Sequence, residues 1–306
     1  ALLNAFRNGK KVIVVLELKA RFDEEANLKW KKLLEEEGVK VLVGLPNRKI
    51  HGKICLISKK IGKSIKQYGF ISTGNLHENT AKIYGDHCLL TANKIITADI
   101  EHIFKLIEFP TQISLFKKCK LLIVSPYNTR SFFVEKILNE IKLHKANKEA
   151  ACIIKLNSLT DNQLIESIYL AAKNGMDIKL IVRGICTLLS ENKKWPQNID
   201  AISIVDQFLE HARVFYFANN GKHDMYISSA DWMMRNLDYR LEVTTPILDE
   251  NIKEELKMIL DIQLKENEKA RILDNNMSNE YVARKPNQKK VRAQVAIFNY
   301  LKTKTY

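Results

Sequence analysis

The sequence predicts an α/β protein made of two related halves. Short apolar runs alternate with segments of helical periodicity over most of the 306 residues, which is typical of βαβ units. Residues 12–16 are apolar on both faces, as in a central strand of a mostly parallel sheet. Several short motifs also occur twice in the same order. We therefore expect mostly parallel sheets, with an active cleft between the two halves.

The elements of the first half follow from apolar periodicity and from glycines that end helices, such as Gly9 and Gly38. The predicted helices are 1–8, 23–37 and 98–107. The predicted strands are 12–16, 39–43, 54–57 and 68–71, with a hairpin-like connection at 59–66. Pro110 closes this half, and we predict a first domain over 1–118.

The second predicted domain covers 119–306. Its predicted strands are 121–124, 150–156, 178–182, 202–205, 214–217 and 224–227. Its predicted helices are 131–144, 161–173 and 251–273. A polar, basic tail follows, in which a docking helix at 290–304 is favoured over a polymer-binding arm.

A histidine, a small residue and a cation precede a predicted strand in each half. The first copy contains His51 and Lys53, and the second contains His211 and Arg213. Because side chains alternate along a strand, each histidine and the cation two residues later point to the same side. Each half therefore offers one imidazole and one positive charge together, which suits the handling of phosphate.

These histidine motifs belong to a longer repeat. Each half has an Asn-Gly pair after a helix, an apolar strand, the histidine motif, and a strand that ends in hydroxyl residues. The Asn-Gly pairs are at 8–9 and 174–175. The hydroxyl motifs are Ser72-Thr73-Gly74-Asn75 and Ser228-Ser229-Ala230-Asp231. Four landmarks in one order predict a duplicated α/β domain, with both histidines in one cleft.

The composition favours a polyanionic partner. The chain has 49 basic and 35 acidic residues, a formal net charge of +14. The alternative is a solvated lysine-rich surface. No apolar run reaches the ~18 residues of a membrane span, and no signal peptide opens the chain. The five widely spaced cysteines predict reduced thiols in a cytosolic protein.

A histidine beside cations can act as a nucleophile, a general acid or base, or a metal ligand. Neither half has HxxxH or CxxC spacing, so a zinc site is disfavoured. Imidazole is largely neutral at cytosolic pH, and nearby cations favour the neutral, nucleophilic form further. The pattern therefore favours a functional, phosphate-handling role for His51 and His211 over a purely structural one, as nucleophile or as general acid or base.

The motifs around these histidines resemble the histidine-phosphorylating class of polyphosphate kinases, in its C-terminal catalytic half. The matching segments span essentially the whole chain and keep the family's order. They are 18–27, 44–53, 72–75, 81–84, 180–186, 203–205, 208–211, 228–238 and 290–294. The family's amino-terminal and head domains are missing, so we expect the chain to be part of a longer protein.

The resemblance implies a fold of two phospholipase-D-like α/β domains. It also implies reversible transfer of the terminal phosphate of ATP to inorganic polyphosphate, with Mg²⁺ as cofactor. His51 would be the phosphohistidine nucleophile, and His211 would contact nucleotide phosphate and serve as an acid. Tyr84 and Arg183 match nucleotide-binding positions. Arg21 matches an arginine at the magnesium–phosphate site, where we expect it to hold phosphoryl oxygens beside the metal.

Lys53 and Arg213 would complete an electrostatic clamp for the moving phosphate with these arginines. The expected partners are ATP, ADP and inorganic polyphosphate, without nucleic acid. The family also implies a cytoplasmic location, peripheral contact with the inner membrane face, and a homo-oligomer of the full-length protein. Whether the chain is active without its N-terminal domains stays open, because another phosphate-site arginine of the family lies before Ala1.

Two other functions fit the residues. A phospholipase-D-like phosphodiesterase or nuclease would share the fold, but its motif requires Asp where this chain has Ser58 and Ala218. A non-catalytic module that binds polyanions would need only the positive charge. The first predicts hydrolysis of a diester without nucleotide, and the second predicts salt-sensitive binding without turnover.

Overall fold

A computed structural model describes residues 1–18, 24–189 and 198–304. The α-helices among these residues are α1 (Leu2–Arg7), α2 (Glu24–Glu36), α3 (Glu78–Ala81), α4 (Lys94–Glu108), α5 (Thr129–Lys145), α6 (Asn162–Lys173), α7 (Met234–Asp238), α8 (Glu250–Leu264) and α9 (Ala293–Lys302). A 3₁₀ helix covers Ile113–Lys118. The strands are β1 (Ile13–Leu16), β2 (Lys40–Val43), β3 (Lys49–Ile50), β4 (Lys53–Ile61), β5 (Ser64–Ser72), β6 (Tyr84–Gly85), β7 (Cys88–Thr91), β8 (Ile123–Ser125), β9 (Cys152–Leu156), β10 (Ile178–Val182), β11 (Ile199–Ile204), β12 (Leu209–Glu210), β13 (Arg213–Phe217), β14 (Asp224–Ser228), β15 (Arg240–Pro246) and β16 (Ala270–Ile272).

The α/β class is confirmed, but the prediction of mostly parallel sheets is wrong. In the large sheet, the order is β16-β11-β10-β9-β13-β14-β15-β3, with β8 also paired to β15. β9, β10 and β11 run parallel, and β15 is parallel to β3. The other strand pairs of this sheet are antiparallel. Where the chain returns through a short turn, as between β13 and β14, it can pair only antiparallel.

Helices cover both faces of the large sheet and fix the strand that follows His211. On one face, Phe133 of α5 and Ile168 of α6 are fully buried with Phe215 of β13. The ring of Phe215 also stacks on Trp232, with centroids 5.3 Å apart. On the other face, α8 packs on β13 and β14. Burial on both faces leaves β13 little freedom to move.

The first half has a parallel pair, β1 and β2, and an antiparallel sheet in the order β4-β5-β7. The predicted hairpin at 59–66 is confirmed, because β4 and β5 are joined by a tight turn in which Gly62 has a φ of +60°. Helix α4 packs on this sheet through Ile100 and Ile103, in a core that also contains Leu241 and Val243 of β15. Buried residues of both halves therefore pack together in this core.

Two short strand pairs cross between the halves. β3, which precedes His51, pairs in parallel with β15 of the second half. β12, which precedes His211, pairs in parallel with β6 of the first half. Each histidine is therefore held by a strand of the opposite half, at the junction where the sequence predicts the cleft.

The structure corrects two further predicted details and confirms one. The predicted helix 251–273 ends at Leu264, because the chain turns and residues 270–272 form β16 against β11. The docking helix expected in the tail is present as α9. The glycine that corresponds to Gly175 is Gly38, not Gly9: each follows the helix of a β-α-β unit with positive φ. No helix in the described part of the chain is long and apolar enough to cross a membrane.

Candidate active site

The two histidines lie immediately before β4 and β13, where the halves meet. The backbone N–H of His51 donates to Leu241 O at 2.9 Å, and that of His211 donates to Gly85 O at 3.1 Å. Gly52 is needed beside His51, because a Cβ at this position would lie 2.8 Å from a side-chain methyl group of β15. The same backbone contact is thus made twice, once in each direction across the junction.

Each imidazole is bound to a carboxylate from the opposite half. His51 Nδ1 lies 2.8 Å from Glu242 Oε2, and His211 Nδ1 lies 2.8 Å from Asp86 Oδ1. An ionised carboxylate can only accept a hydrogen bond, so Nδ1 carries the proton in each ring. Nε2 then keeps its lone pair, which is the tautomer that a nitrogen nucleophile requires.

Burial and nearby charges keep these groups in that state. Burial lowers the pKa of both His51 and His211 below the ordinary value, although their carboxylate partners act in the opposite direction. Burial would raise the pKa of Glu242 and of Asp86, but the interactions with the histidines, together with the nearby hydroxyl groups and cations, outweigh it and lower both. The resting site therefore pairs neutral imidazoles with ionised carboxylates near neutral pH.

The hydroxyl motifs of the repeat hold these carboxylates. Thr73 Oγ1 donates to Asp86 Oδ1 at 2.6 Å, and Ser229 Oγ donates to Glu242 Oε2. The separation along the chain is 13 residues in both cases. Gly74 must lack a side chain, because a Cβ there would lie 1.9 Å from Asp86 Oδ2. The duplicated motif therefore supports the carboxylate that the other half's histidine uses.

Arg213 is neutralised by a buried carboxylate. Its Nε lies 3.2 Å from Asp231 Oδ1, and its Nη2 lies 3.0 Å from Asp231 Oδ2. The relative exposure is 3% for Arg213 and 5% for Asp231. Arg213 Nη1 also lies 3.2 Å from His211 Nε2. The second histidine is thus accompanied by a cation that already has its counter-ion.

Lys53 stands at the corresponding place in the first half, but its ammonium group is buried without a hydrogen-bond partner among the described residues. Asn75, at the position equivalent to Asp231, carries no charge. Burial lowers the pKa of Lys53 to about 7. The charge of Lys53 lowers the pKa of both His51 and His211, as expected if both rings face one crevice.

The other predicted substrate-binding residues also reach this region. The ring of Tyr84 lies over His211, with centroids 4.9 Å apart and planes inclined by 53°. Arg183 Nε donates to Asn157 Oδ1 at 2.7 Å, and Asn157 Nδ2 donates to the backbone oxygen of His211 at 3.1 Å. Arg21 lies outside the residues that the structure describes.

Sequence reasoning missed the carboxylates Asp86 and Glu242, and also Arg240. The sequence signal for the carboxylates is their equal distance from the two hydroxyl motifs. In the pairing of β15 with β3, Arg240 is opposite Lys49. In the pairing of β6 with β12, Tyr84 takes the corresponding place, opposite Leu209. Arg240 and Tyr84 are therefore equivalent positions, one beside each histidine.

No free carboxylate set for a metal is found among the described residues of the crevice. Its carboxylates are each bound to a histidine or an arginine: Asp86, Glu242 and Asp231. A separate cluster of Asp99, His102 and Cys119 has metal-ligand types, but the Asp99 carboxylate accepts hydrogen bonds from backbone N–H groups of residues 120–122. This cluster ties α4 to the segment before β8, away from the histidine motifs.

Comparison with known proteins identifies the family. Residues 1–113 match the family described as "Polyphosphate kinase C-terminal domain 1", and residues 122–294 match "Polyphosphate kinase C-terminal domain 2". The chain belongs to the polyphosphate kinase family. It is 47% identical over 302 residues to polyphosphate kinase of Vibrio cholerae and 45% identical over 303 residues to that of Escherichia coli. The crystal structure of polyphosphate kinase from Porphyromonas gingivalis superposes with a TM-score of 0.87 at 38% identity.

The chain spans less than half the length of these polyphosphate kinases. The two curated relatives are matched over 99% of this chain but over 42% and 44% of their own length. The P. gingivalis structure covers 98% of this chain, and 45% of that chain is matched. The predicted division between 118 and 119 falls between the two matched domains and stays a prediction.

Proposed function

We propose that the chain carries the catalytic site of a polyphosphate kinase, which transfers the terminal phosphate of ATP reversibly to inorganic polyphosphate through a phosphohistidine. One observation carries this proposal: His51 has Nδ1 bound to buried Glu242, and Lys53 lies beside it with no counter-ion of its own among the described residues. This combination supplies a neutral nitrogen nucleophile and an unused positive charge. It suits attack on a phosphoryl group.

In the first step, His51 Nε2 attacks the γ-phosphorus of ATP. The N–P bond forms while the P–O bond to ADP breaks, and the electron pair stays on the β-phosphate oxygen of ADP. The proton stays on His51 Nδ1 and remains hydrogen-bonded to Glu242, whose negative charge balances the positive charge that develops on the ring. Lys53 neutralises negative charge on the transferred oxygens.

In the second step, a terminal oxygen of polyphosphate attacks the same phosphorus. The N–P bond breaks and its electron pair returns to Nε2, so His51 is again neutral. Overall, one phosphoanhydride bond is broken in ATP and another is formed in polyphosphate, so the reaction can run in either direction. Catalysis here depends on position and charge more than on acid–base chemistry.

The asymmetry of the cations supports His51, rather than His211, as the nucleophile. Arg213 beside His211 already shares a buried ion pair with Asp231, whereas Lys53 beside His51 has no such partner in the described structure. A phosphoryl group near His51 would complete the charge balance of Lys53. Near His211, the charge of Arg213 is already balanced by Asp231, so the transferred group would gain less charge neutralisation there.

We assign the nucleotide phosphates to the second half of the crevice. His211 Nε2 lies beside Arg213 Nη1, and Tyr84 packs on the His211 ring, so an anion there would meet both an imidazole and a guanidinium. Arg183 approaches the same place from the end of β10. With a phosphate bound, the protonated form of His211 is favoured, and the ring can then donate as an acid.

Mg²⁺ fits this proposal as a companion of the nucleotide, bound through phosphate oxygens, because the carboxylates of the crevice are engaged. The metal supplies charge neutralisation on the phosphate chain. Arg21 would hold phosphoryl oxygens beside it, as the resemblance implies.

We also propose a cytoplasmic, homo-oligomeric full-length protein, with peripheral contact to the inner membrane face and no nucleic-acid partner.

The function is tested by ATP-dependent polymer synthesis, measured side by side for the full-length protein and for residues 1–306. We expect the full-length protein to extend inorganic polyphosphate and to carry acid-labile label from γ-labelled ATP. Hydrolysis of a phosphodiester without nucleotide would instead support a phospholipase-D-like enzyme. Salt-sensitive binding of polyphosphate without turnover would support a binding module.

The pKa of Lys53 predicts how binding of inorganic tripolyphosphate depends on pH. Burial lowers this pKa to about 7 in the free protein, so the ammonium is charged below that pH and neutral above it. Affinity should therefore fall by on the order of tenfold from pH 7 to 8.5, and the fall should level off because bound phosphate raises the pKa again. Calorimetric titration at several pH values measures this.

Lys53→Arg is the matched control, because a guanidinium stays charged over this range. Titration of tripolyphosphate itself changes the affinity of both proteins equally, so it cancels in the difference between the two pH profiles. An identical fall of affinity in both proteins would show that Lys53 does not titrate in the crevice.

A further inference from the structure

We propose that Gln294, at the start of the C-terminal helix α9, is a positioning residue that holds His211 and Arg183 in place for the reaction. The inference rests on the proposed function and adds to it a residue from outside the crevice. Gln294 acts through the segment that immediately precedes His211: in the described structure its side chain is hydrogen-bonded to Phe208 and Glu210, and not to a histidine or an arginine of the site.

The amide of Gln294 binds this segment as a neighbouring strand would. Its Nε2 donates to Phe208 O at 2.8 Å, and its Oε1 accepts from Phe208 N at 3.0 Å. One edge of β12 pairs with β6. The side-chain amide satisfies the N–H and C=O of the residue before β12. It thereby fixes the position and direction of β12, which leads into His211.

The same amide also reaches Glu210, the residue directly before His211. Gln294 Nε2 donates to Glu210 Oε1 at 2.9 Å. The other oxygen, Oε2, accepts from Lys155 Nζ at 2.6 Å and from Gln263 Nε2 at 2.8 Å. Glu210 is 8% exposed, so its carboxylate needs all of these partners.

Glu210 passes this restraint to the crevice through its backbone. Its carbonyl oxygen accepts from Arg183 Nε at 2.6 Å, and its peptide bond leads directly into His211. A shift of Glu210 would therefore move a phosphate-binding arginine and an imidazole together. Displacements on the order of 1 Å can cost about 10²-fold in rate when positioning is the source of catalysis.

Helix α9 is anchored firmly enough to serve as this support. The Arg292 side chain forms a bidentate ion pair with Asp206, in which Nε donates to Oδ2 at 2.9 Å and Nη2 donates to Oδ1 at 2.7 Å. Val291 N donates to Asn267 Oδ1 at 2.9 Å, and Ala293 N donates to a Glu266 carboxylate oxygen. The first turn of α9, with Gln294, is thus fixed to the elements around β12.

In the described part of the first half, no side-chain amide binds the strand before the histidine. The residue before His51 is Ile50, whose backbone N–H donates to Glu17 Oε2 at 2.8 Å. The support from α9 therefore acts on the second histidine alone. A change at Gln294 should affect the nucleotide side of the crevice and leave the pair of His51 with Glu242 intact.

The test is the single-turnover rate of acid-labile labelling from γ-labelled ATP in the full-length protein, with Gln294→Met. Methionine keeps the length and the helix propensity but removes every hydrogen bond of the amide. We expect labelling at saturating ATP to slow by about 10- to 100-fold, and the KM for ATP to rise. Gln294→Glu should be slower still, because it places a second carboxylate against Glu210.

Asn299→Ala on the exposed side of α9 is the matched control and should label at the wild-type rate. A purely structural role would lower the unfolding midpoint but leave the rate unchanged well below that midpoint, and this result would overturn the inference. If both Gln294 variants fold and label at the wild-type rate, the inference fails while the proposed function stands. If the wild-type protein takes no label, the proposed function itself fails, and the inference falls with it.

Discussion

Replacing His51 by glutamine should abolish both labelling of the protein by γ-labelled ATP and synthesis of polyphosphate. A carboxamide can still donate a hydrogen bond to Glu242, so the buried carboxylate keeps a partner and the fold is preserved. It cannot form the covalent N–P bond. Loss of a covalent nucleophile costs on the order of 10⁴-fold or more in rate, and the residual reaction should lie near the background.

His144→Gln is the matched control for this change, because His144 lies in the last turn of α5 and not at the strand pairs that cross between the halves. It should label and synthesise polymer normally. His211→Gln should slow the reaction but leave His51 as the labelled residue, which peptide mapping would show. Full labelling of the His51→Gln protein would contradict the assignment of the nucleophile.

Replacing Asp231 by alanine should give the largest loss of stability. The substitution leaves the Arg213 guanidinium buried without its counter-ion. It also removes Asp231 Oδ1, which accepts hydrogen bonds from the backbone N–H groups of Asn157 and Ser158. Removal of one partner from a buried ion pair costs about 3–5 kcal/mol in the free energy of unfolding. Urea unfolding of the variant and the wild type measures the difference.

Asp238→Ala provides the comparison with a more exposed pair. The Asp238 side chain is 34% exposed, and its partner Arg130 keeps a second carboxylate, Asp161. This change should cost about 1 kcal/mol or less. The double variant Arg213→Met with Asp231→Leu should recover part of the stability lost by Asp231→Ala, because no buried charge is then left unpaired. Equal losses for Asp231→Ala and Asp238→Ala would argue against a buried, charge-dependent contact.

The local part of the site could be read from the sequence. A histidine followed two residues later by a cation, at the start of a strand, fixes which side chains share a face, so the pairs His51 with Lys53 and His211 with Arg213 needed no tertiary information. The hydroxyl motifs were also visible as a repeat. The carboxylate partners of the histidines were not visible, because Glu242 is 191 residues from His51 and Asp86 is 125 residues from His211.

The direction of the strands was also beyond the sequence pattern. Apolar strands between helices suggested mostly parallel sheets, but β13 and β14 pair antiparallel with each other, and β13 also pairs antiparallel with β9. Periodicity reports which residues are buried and carries no information about which strands become neighbours. Neighbours are chosen by connection length and by the packing of whole elements.

The sequence by itself determined the α/β class, the repeated order of motifs and the polyphosphate kinase family of this chain, and it predicted that the chemistry lies near His51 and His211. Only the tertiary structure decided that each histidine takes its carboxylate from the other half, and that Lys53, unlike Arg213, has no hydrogen-bonded carboxylate among the described residues. The physical reason is that side-chain spacing along a strand is a local property. The charge balance of a buried crevice depends on groups that meet only when the two halves pack together.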